Sequence, residues 1–218
     1  MDGPSGSGKS SASRGAARAL GLRYLDTGAT YRALTWWLLA RGVDPADRTQ
    51  IMVHAGGPRI EVSTDPDDPW TRVDGADVSA AIRTREVSTA VSAVAAVPEV
   101  RARLIALQRA IIAAARPGIV AEGRDIGTVV APDACLKVFL TAAGLARAAR
   151  HAADQGTTVA VTETDQARRD RLDAAQSVMA EDAVEIDSTD LGLDEVIELI
   201  AGLARERAGL SLVPETTP

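Results

Sequence analysis

The sequence predicts an α/β chain built on a doubly wound, mostly parallel sheet flanked by helices. Three observations predict it. Short apolar, β-branched segments such as Ile119–Glu122 and Leu136–Leu140 alternate with stretches of helical periodicity, and strands buried on both faces read as continuous apolar runs. A Gly/Ser-rich loop over residues 3–8 opens straight into one of the helices. Between residues 43 and 85 the alternation gives way to a Pro- and Gly-rich stretch with hairpin patterning, the mark of an insertion. A chain of 218 residues accommodates one such domain with its insertion. Residues 1–218 are therefore expected to form a single domain, with 43–85 inserted, 144–170 acting as a helical lid and 210–218 a frayed tail.

The elements follow in order. Lys9 to Leu20 reads as a helix stopped by Gly21, and Leu22 to Leu25 as a strand ended by Asp26-Thr27-Gly28. Thr30 to Arg41 carries Leu34, Trp37 and Leu38 on one helical stripe, which is core. In the insertion, Arg59–Ser63 and Trp70–Val73 read as strands joined by the turn-rich run from Asp65 to Pro69. Helices are expected at Glu86–Val94 and from Pro98, a good first-turn residue, to Ala115. Between the two apolar strands at 119 and 136 lies the loop Gly123-Arg124-Asp125-Ile126-Gly127-Thr128. Gly144–Gln155 reads as a basic helix, Gly156–Thr164 as a polar loop, and a charged helix follows from Asp165. Val184–Asp187 is a last strand and Asp194–Arg207 an amphipathic closing helix stopped by Gly209.

Composition narrows the function. With 46% hydrophobic and 25% charged residues the chain is not wholly disordered, and no apolar run spans a bilayer. A formal net charge of −6 argues against non-specific nucleic-acid binding. The single cysteine, Cys135, excludes a disulfide framework and cysteine-cluster metal sites, and reads as inert core. His54 and His151 have no partner at metal-ligand spacing. The opening residues show no signal-peptide pattern, so a cytoplasmic location is expected. The two lysines are Lys9 and Lys137 in an Arg-rich chain, and Lys9 lies inside the strongest motif.

That motif is Gly3-Pro4-Ser5-Gly6-Ser7-Gly8-Lys9-Ser10, the spacing of a phosphate-binding loop. Glycines let the backbone wrap a polyphosphate with its N–H groups turned inward, and the following helix adds its positive end. Lys9 can then reach the β- and γ-phosphates, while the Ser10 hydroxyl can ligate Mg²⁺. Ser11 completes the candidate ATP contacts. The motif alone leaves kinases and ATPases open. A GTPase lacks support because no Asn-Lys-x-Asp segment is present. A small-molecule kinase needs a second anionic site, for which Asp26-Thr27-Gly28-Ala29-Thr30-Tyr31-Arg32 and Arg124-Asp125 are the candidates.

With these segments the chain resembles the bacterial cytidylate kinases, members of the P-loop kinase fold. The resemblance rests on Asp2–Ser10, Asp26–Ala33, Val78–Ser88, Val94–Arg101 and Glu122–Asp133, in order over nearly the whole chain. It implies transfer of the ATP γ-phosphate to CMP or dCMP by a monomer that needs Mg²⁺ and takes neither nucleic acid nor membrane as partner. By the same resemblance, Thr27, Arg32 and Arg124 hold the acceptor phosphate, with Tyr31 beside the nucleotide. Ser92, Arg101 and Asp125 read the cytosine edge, Arg169 and Asp173 hold the pentose, and Arg147 and Arg150 are lid arginines. The reaction needs no general base, because the acceptor phosphate is already anionic.

Two departures stand out. Only Met1-Asp2 precede the phosphate loop where the family has a central apolar strand, so the first strand is expected to be missing, with a start placed too late as the explanation. Gln176 stands at the position of a family arginine that contacts the nucleotide, and the stretch after it looks several residues short, so acceptor affinity is expected to fall. These departures motivate a rival reading, a degenerate nucleotide-binding protein with little turnover. A kinase for another acceptor, such as AMP or shikimate, is a third.

Overall fold

A computed structural model describes residues 1–155, 159–174 and 176–208; the side chains of residues 151–155, 159–163, 165 and 169 are also outside the description. The parallel layer lies at its centre. Strand β1 (Arg23–Asp26) pairs with β5 (Ile119–Glu122), Asp26 standing opposite Glu122. Strand β6 (Val138–Thr141) pairs in the same sense with β7 (Val184–Asp187). Met1 and Asp2 occupy the slot between these pairs. The Asp2 N–H donates to Val138 O at 2.8 Å, Leu140 N–H donates back to Asp2 O at 2.8 Å, and Gly123 N–H donates to Met1 O at 3.0 Å. Two residues thus satisfy the facing backbone groups at the carboxyl end of the layer, which is where a parallel sheet presents its ligands.

Helix α1 (Lys9–Leu20) packs on α8 (Leu193–Arg207). Together they cover β6 and β7 through Ala12, Ala16, Val138, Leu140, Ile186, Val196 and Ile200. The insertion holds α3 (Arg48–His54) and the antiparallel sheet β2 (Ile60–Val62), β3 (Thr71–Val73) and β4 (Ala76–Asp77). Its Ile51, Ile60, Val73 and Ile82 share one core with α2 (Thr27–Leu39), α4 (Arg85–Ala95) and α5 (Pro98–Ala114). Helices α6 (Gly144–Gln155) and α7 (Val159–Asp173) pack against each other over the expected lid segment.

Several sequence expectations are corrected. Helix α2 starts at Thr27, three residues early, because the Asp26 carboxylate caps it by accepting from Ala29 N–H at 3.0 Å. Helix α3, capped by Asp47, and strand β4 are elements the turn-rich pattern concealed. Residues 159–164 are helical rather than loop. Ile126–Val130 forms a π-helical turn inside the expected loop. Cys135 is exposed, not core. Gly209, residues 210–218 and the side chains of His151 and Arg169 lie outside the described residues.

Candidate functional site

The phosphate loop begins where Gly3 passes under β6 with φ +143°; a Cβ there would sit 2.1 Å from Leu140 O. Gly8, at φ +87°, turns the chain into α1. Lys9 is buried and folds back over its own loop, donating to Pro4 O at 2.6 Å. Burial, followed by the charge of Arg124, lowers its pKa from 10.5 to about 7. An ammonium so poorly solvated, held only by loop oxygens and distant carboxylates, is a strong site for an added polyanion. Glu122 closes the floor of the site. It accepts from the Tyr24 hydroxyl at 2.5 Å, and burial, with the Asp26 charge next, raises its pKa.

The amino end of α2 opens onto the same cleft through Thr27 and Gly28. Thr27 lies at that end, and its hydroxyl donates to Glu122 O at 2.6 Å. Arg32 donates to Ser88 Oγ at 2.8 Å and Ile82 O at 3.2 Å, so its guanidinium is anchored on the insertion side. Arg124 donates to Gly3 O at 3.0 Å and Asp173 Oδ2 at 3.2 Å, tying the end of α7 to the loop at residues 3–8.

Farther along the cleft, Arg101 of α5 donates to Asp125 Oδ2 and, at 3.0 Å, to Gln176 Oε1. Ser92 of α4 and Tyr31 of α2 line the same end, and burial pushes the Tyr31 hydroxyl up to about 12, so it stays protonated. The position of Asp125 depends on a residue the sequence reading left aside. The buried Asp2 carboxylate accepts from Ile126 N–H at 2.8 Å and Gly127 N–H at 2.7 Å, which fixes the turn carrying Arg124 and Asp125.

One cleft of about 440 Å³ gathers Ser5, Gly6, Gly8, Lys9, Ser10 and Ser11 with Thr27, Tyr31, Arg32, Ser92, Arg101, Arg124, Asp125, Arg150 and Asp173. Gly3, Pro4 and Ser7 do not line it, nor does Arg147. Arg147 donates to Ser5 O and Asp170 Oδ2, both at 2.7 Å. Asp170 Oδ1 in turn accepts from Ser5 N–H at 3.1 Å, so α6 and α7 are tied to the loop at residues 3–8. Arg150 donates to the carbonyls of Ser188, Thr189 and Leu191 at the end of β7.

The cleft also holds Asp26 and Gln176, which the sequence singled out without a site role of their own, and Glu122. The spacing of Asp26 and Glu122 at the ends of adjacent parallel strands was the signal for that pair. Ser10, Asp26 and Glu122 form a set of hard oxygen donors in one place, with the Ser10 hydroxyl bonded to Glu122, and they suit Mg²⁺. Among the described residues no helix is long and apolar enough to cross a membrane.

Comparison with known proteins places the chain among relatives. A family model described as cytidylate kinase matches residues 1–206. The chain is 53% identical over 215 residues to the cytidylate kinase of Streptomyces coelicolor, covering 96% of this chain and 93% of that one. It is 52% identical over 212 residues to the cytidylate kinase of Streptomyces avermitilis, covering 95% and 92%. The corresponding enzyme of Rhodococcus opacus is 47% identical over 219 residues, covering 96% and 95%.

Proposed function

The chain belongs to the cytidylate kinase family, and from that premise we propose how its residues carry ATP-dependent phosphoryl transfer to CMP and dCMP. The observation that carries the reading is the single cleft in which the Lys9 loop and the Arg101–Asp125 pair face one another across Arg124. ATP lays its β- and γ-phosphates in the loop 3–8, against Lys9 and the start of α1. The CMP phosphate rests between the α2 amino end, Arg32 and Arg124. Its base reaches Asp125, which accepts from the cytosine amine, while Arg101 and Ser92 donate to the ring nitrogen and carbonyl oxygen. Arg169 and Asp173 serve the pentose.

An oxygen of the acceptor phosphate attacks the γ-phosphorus, and the bond from that phosphorus to the β,γ-bridging oxygen breaks, leaving ADP and CDP. No proton moves at this step. The protein supplies alignment and positive charge: Lys9 and Arg124 flank the transferred group, and Arg147 and Arg150 join them when the lid exchanges its present partners for phosphate. Ser10, with Asp26 and Glu122 beside it in the cleft, would hold Mg²⁺, which would supply charge neutralisation for the phosphoryl group in transfer.

The gathering of Lys9, Arg32, Arg124 and Asp125 in one cleft supports turnover over mere nucleotide binding. The enzyme is expected to work as a cytoplasmic monomer. The test is ADP formation with Mg-ATP and a panel of CMP, dCMP, UMP, AMP and shikimate. Turnover confined to CMP and dCMP is the expected result. Turnover on AMP or shikimate, or ATP binding without turnover on any acceptor, overturns it.

A further inference from the structure

Gln176 stands in the turn after α7, at the base end of the cleft. Its polar atoms are directed at protein. The Oε1 accepts from Arg101 Nη1 at 3.0 Å, and the Nε2 approaches Ala95 O of α4 at 3.4 Å. The other terminal nitrogen of Arg101 donates to Asp125. The guanidinium is therefore held between a carboxylate on one edge and a carboxamide on the other, and its plane is fixed. Three residues earlier, Asp173 does the same for Arg124. Asp173 and Gln176 thus orient both arginines that flank Asp125.

The chemistry of the two partners differs for a reason. Arg101 already has a carboxylate, so a second one would compete with Asp125 for it. A second cation would push it away. A neutral acceptor holds the guanidinium without disturbing that pair.

We propose that Gln176 is a positioning residue for base recognition: it sets the edge of Arg101 that meets the pyrimidine, and the preference for CMP over UMP depends on it. This rests on the reading of Arg101 and Asp125 as base readers. It also revises the expectation that loss of the arginine at this position simply weakens acceptor binding.

The test is steady-state kinetics of the full chain with CMP, UMP and ATP. Gln176→Met keeps length and volume and removes the acceptor. It should raise the KM for CMP about 10- to 100-fold, the worth of one hydrogen bond to a charged group. The CMP-to-UMP ratio of kcat/KM should fall with it, while the KM for ATP stays within about twofold. Gln176→Glu supplies a second carboxylate that competes with Asp125 for Arg101 and should lower the CMP-to-UMP ratio as well. Gln176→Arg places a cation beside Arg101 and should raise the KM for CMP. An unchanged CMP-to-UMP ratio in Gln176→Met overturns the proposal, as does a matching rise in the KM for ATP. A lower KM for CMP in Gln176→Arg overturns it too. Asp125→Asn, measured alongside, separates the two levels. If it leaves the base preference intact, the base-reading assignment itself fails. If it changes the preference while Gln176→Met does not, only the role of Gln176 falls.

Discussion

The two ends of the cleft are built in opposite ways. The proposed donor end is a run of backbone: residues 3–8 form a loop, and Lys9, at the start of α1, bonds back to it at Pro4. The proposed acceptor end is assembled from side chains on α2, α4, α5, the β5–β6 turn, the end of α7 and Gln176, joined by the pairs Arg101–Asp125 and Arg124–Asp173. A contiguous backbone site keeps its geometry if its glycines and helix are present. A dispersed site keeps its geometry only if several cross-links hold at once, so its failures should be graded and specific.

Removing Lys9 is the strongest way to test that contrast. Lys9→Ala should lower kcat by about 10³-fold with every acceptor, because the lost charge faces the group in flight whatever molecule receives it. Steady-state assays with CMP and dCMP would check this. A loss that depended on the acceptor would show that the two ends are not separate. Asp125→Ala should behave in the opposite way. It should cost about 10- to 100-fold in kcat/KM with CMP, since a charged hydrogen-bonding partner is removed, and much less with UMP. Equal losses with both nucleotides would deny Asp125 its base-reading role.

The contrast also decides what could be read from the sequence. The donor loop was legible to the residue because its chemistry is a local pattern, and α1, β5 and β7 were placed residue for residue for the same reason. Resemblance supplied the acceptor residues, but not their partners. That Asp2 holds the N–H groups of Ile126 and Gly127 across 124 and 125 positions of chain is tertiary information. So is the attachment of Gln176 to Arg101. The helix at 159–164 was missed because the Val and Thr residues there favour strand or loop locally, and the pairing of α6 with α7 outweighs that preference. The slot between β5 and β6 was expected to lack its strand. Met1 and Asp2 pair the facing backbone groups at its carboxyl end, beside the chemistry.

A proton should mark the donor end alone. Lys9 has a pKa of about 7 in the ligand-free protein, lowered first by burial and then by Arg124. Bound phosphates favour the charged form and raise that pKa. Below pH 7 the lysine is already charged, so ATP affinity should not depend on it. Above pH 7 each binding event must take up a proton, and the Kd for ATP should rise by up to about tenfold per pH unit until the bound-state pKa is reached. Calorimetry at pH 8 in two buffers of different ionisation enthalpy should show close to one proton taken up. CMP binding should show no such uptake. Proton uptake with CMP of the same size would mean that the acceptor end senses Lys9 and would weaken the division.

The smallest expected effect lies at the lid. Asp170 accepts from Ser5 N–H and from Arg147, and this pair is partly exposed, with 15% and 26% of the two side chains accessible. An ion pair in such a setting is worth about 1 kcal/mol or less. Asp170→Asn keeps an acceptor for the Ser5 N–H but loosens Arg147, which then turns to the incoming phosphates at lower cost. The KM for ATP should fall about two- to fivefold, consistent with that energy, with the KM for CMP unchanged. A higher KM for ATP would mean that the latch shapes the loop for its nucleotide rather than competing with it. The donor end would then depend, like the acceptor end, on a distant side chain.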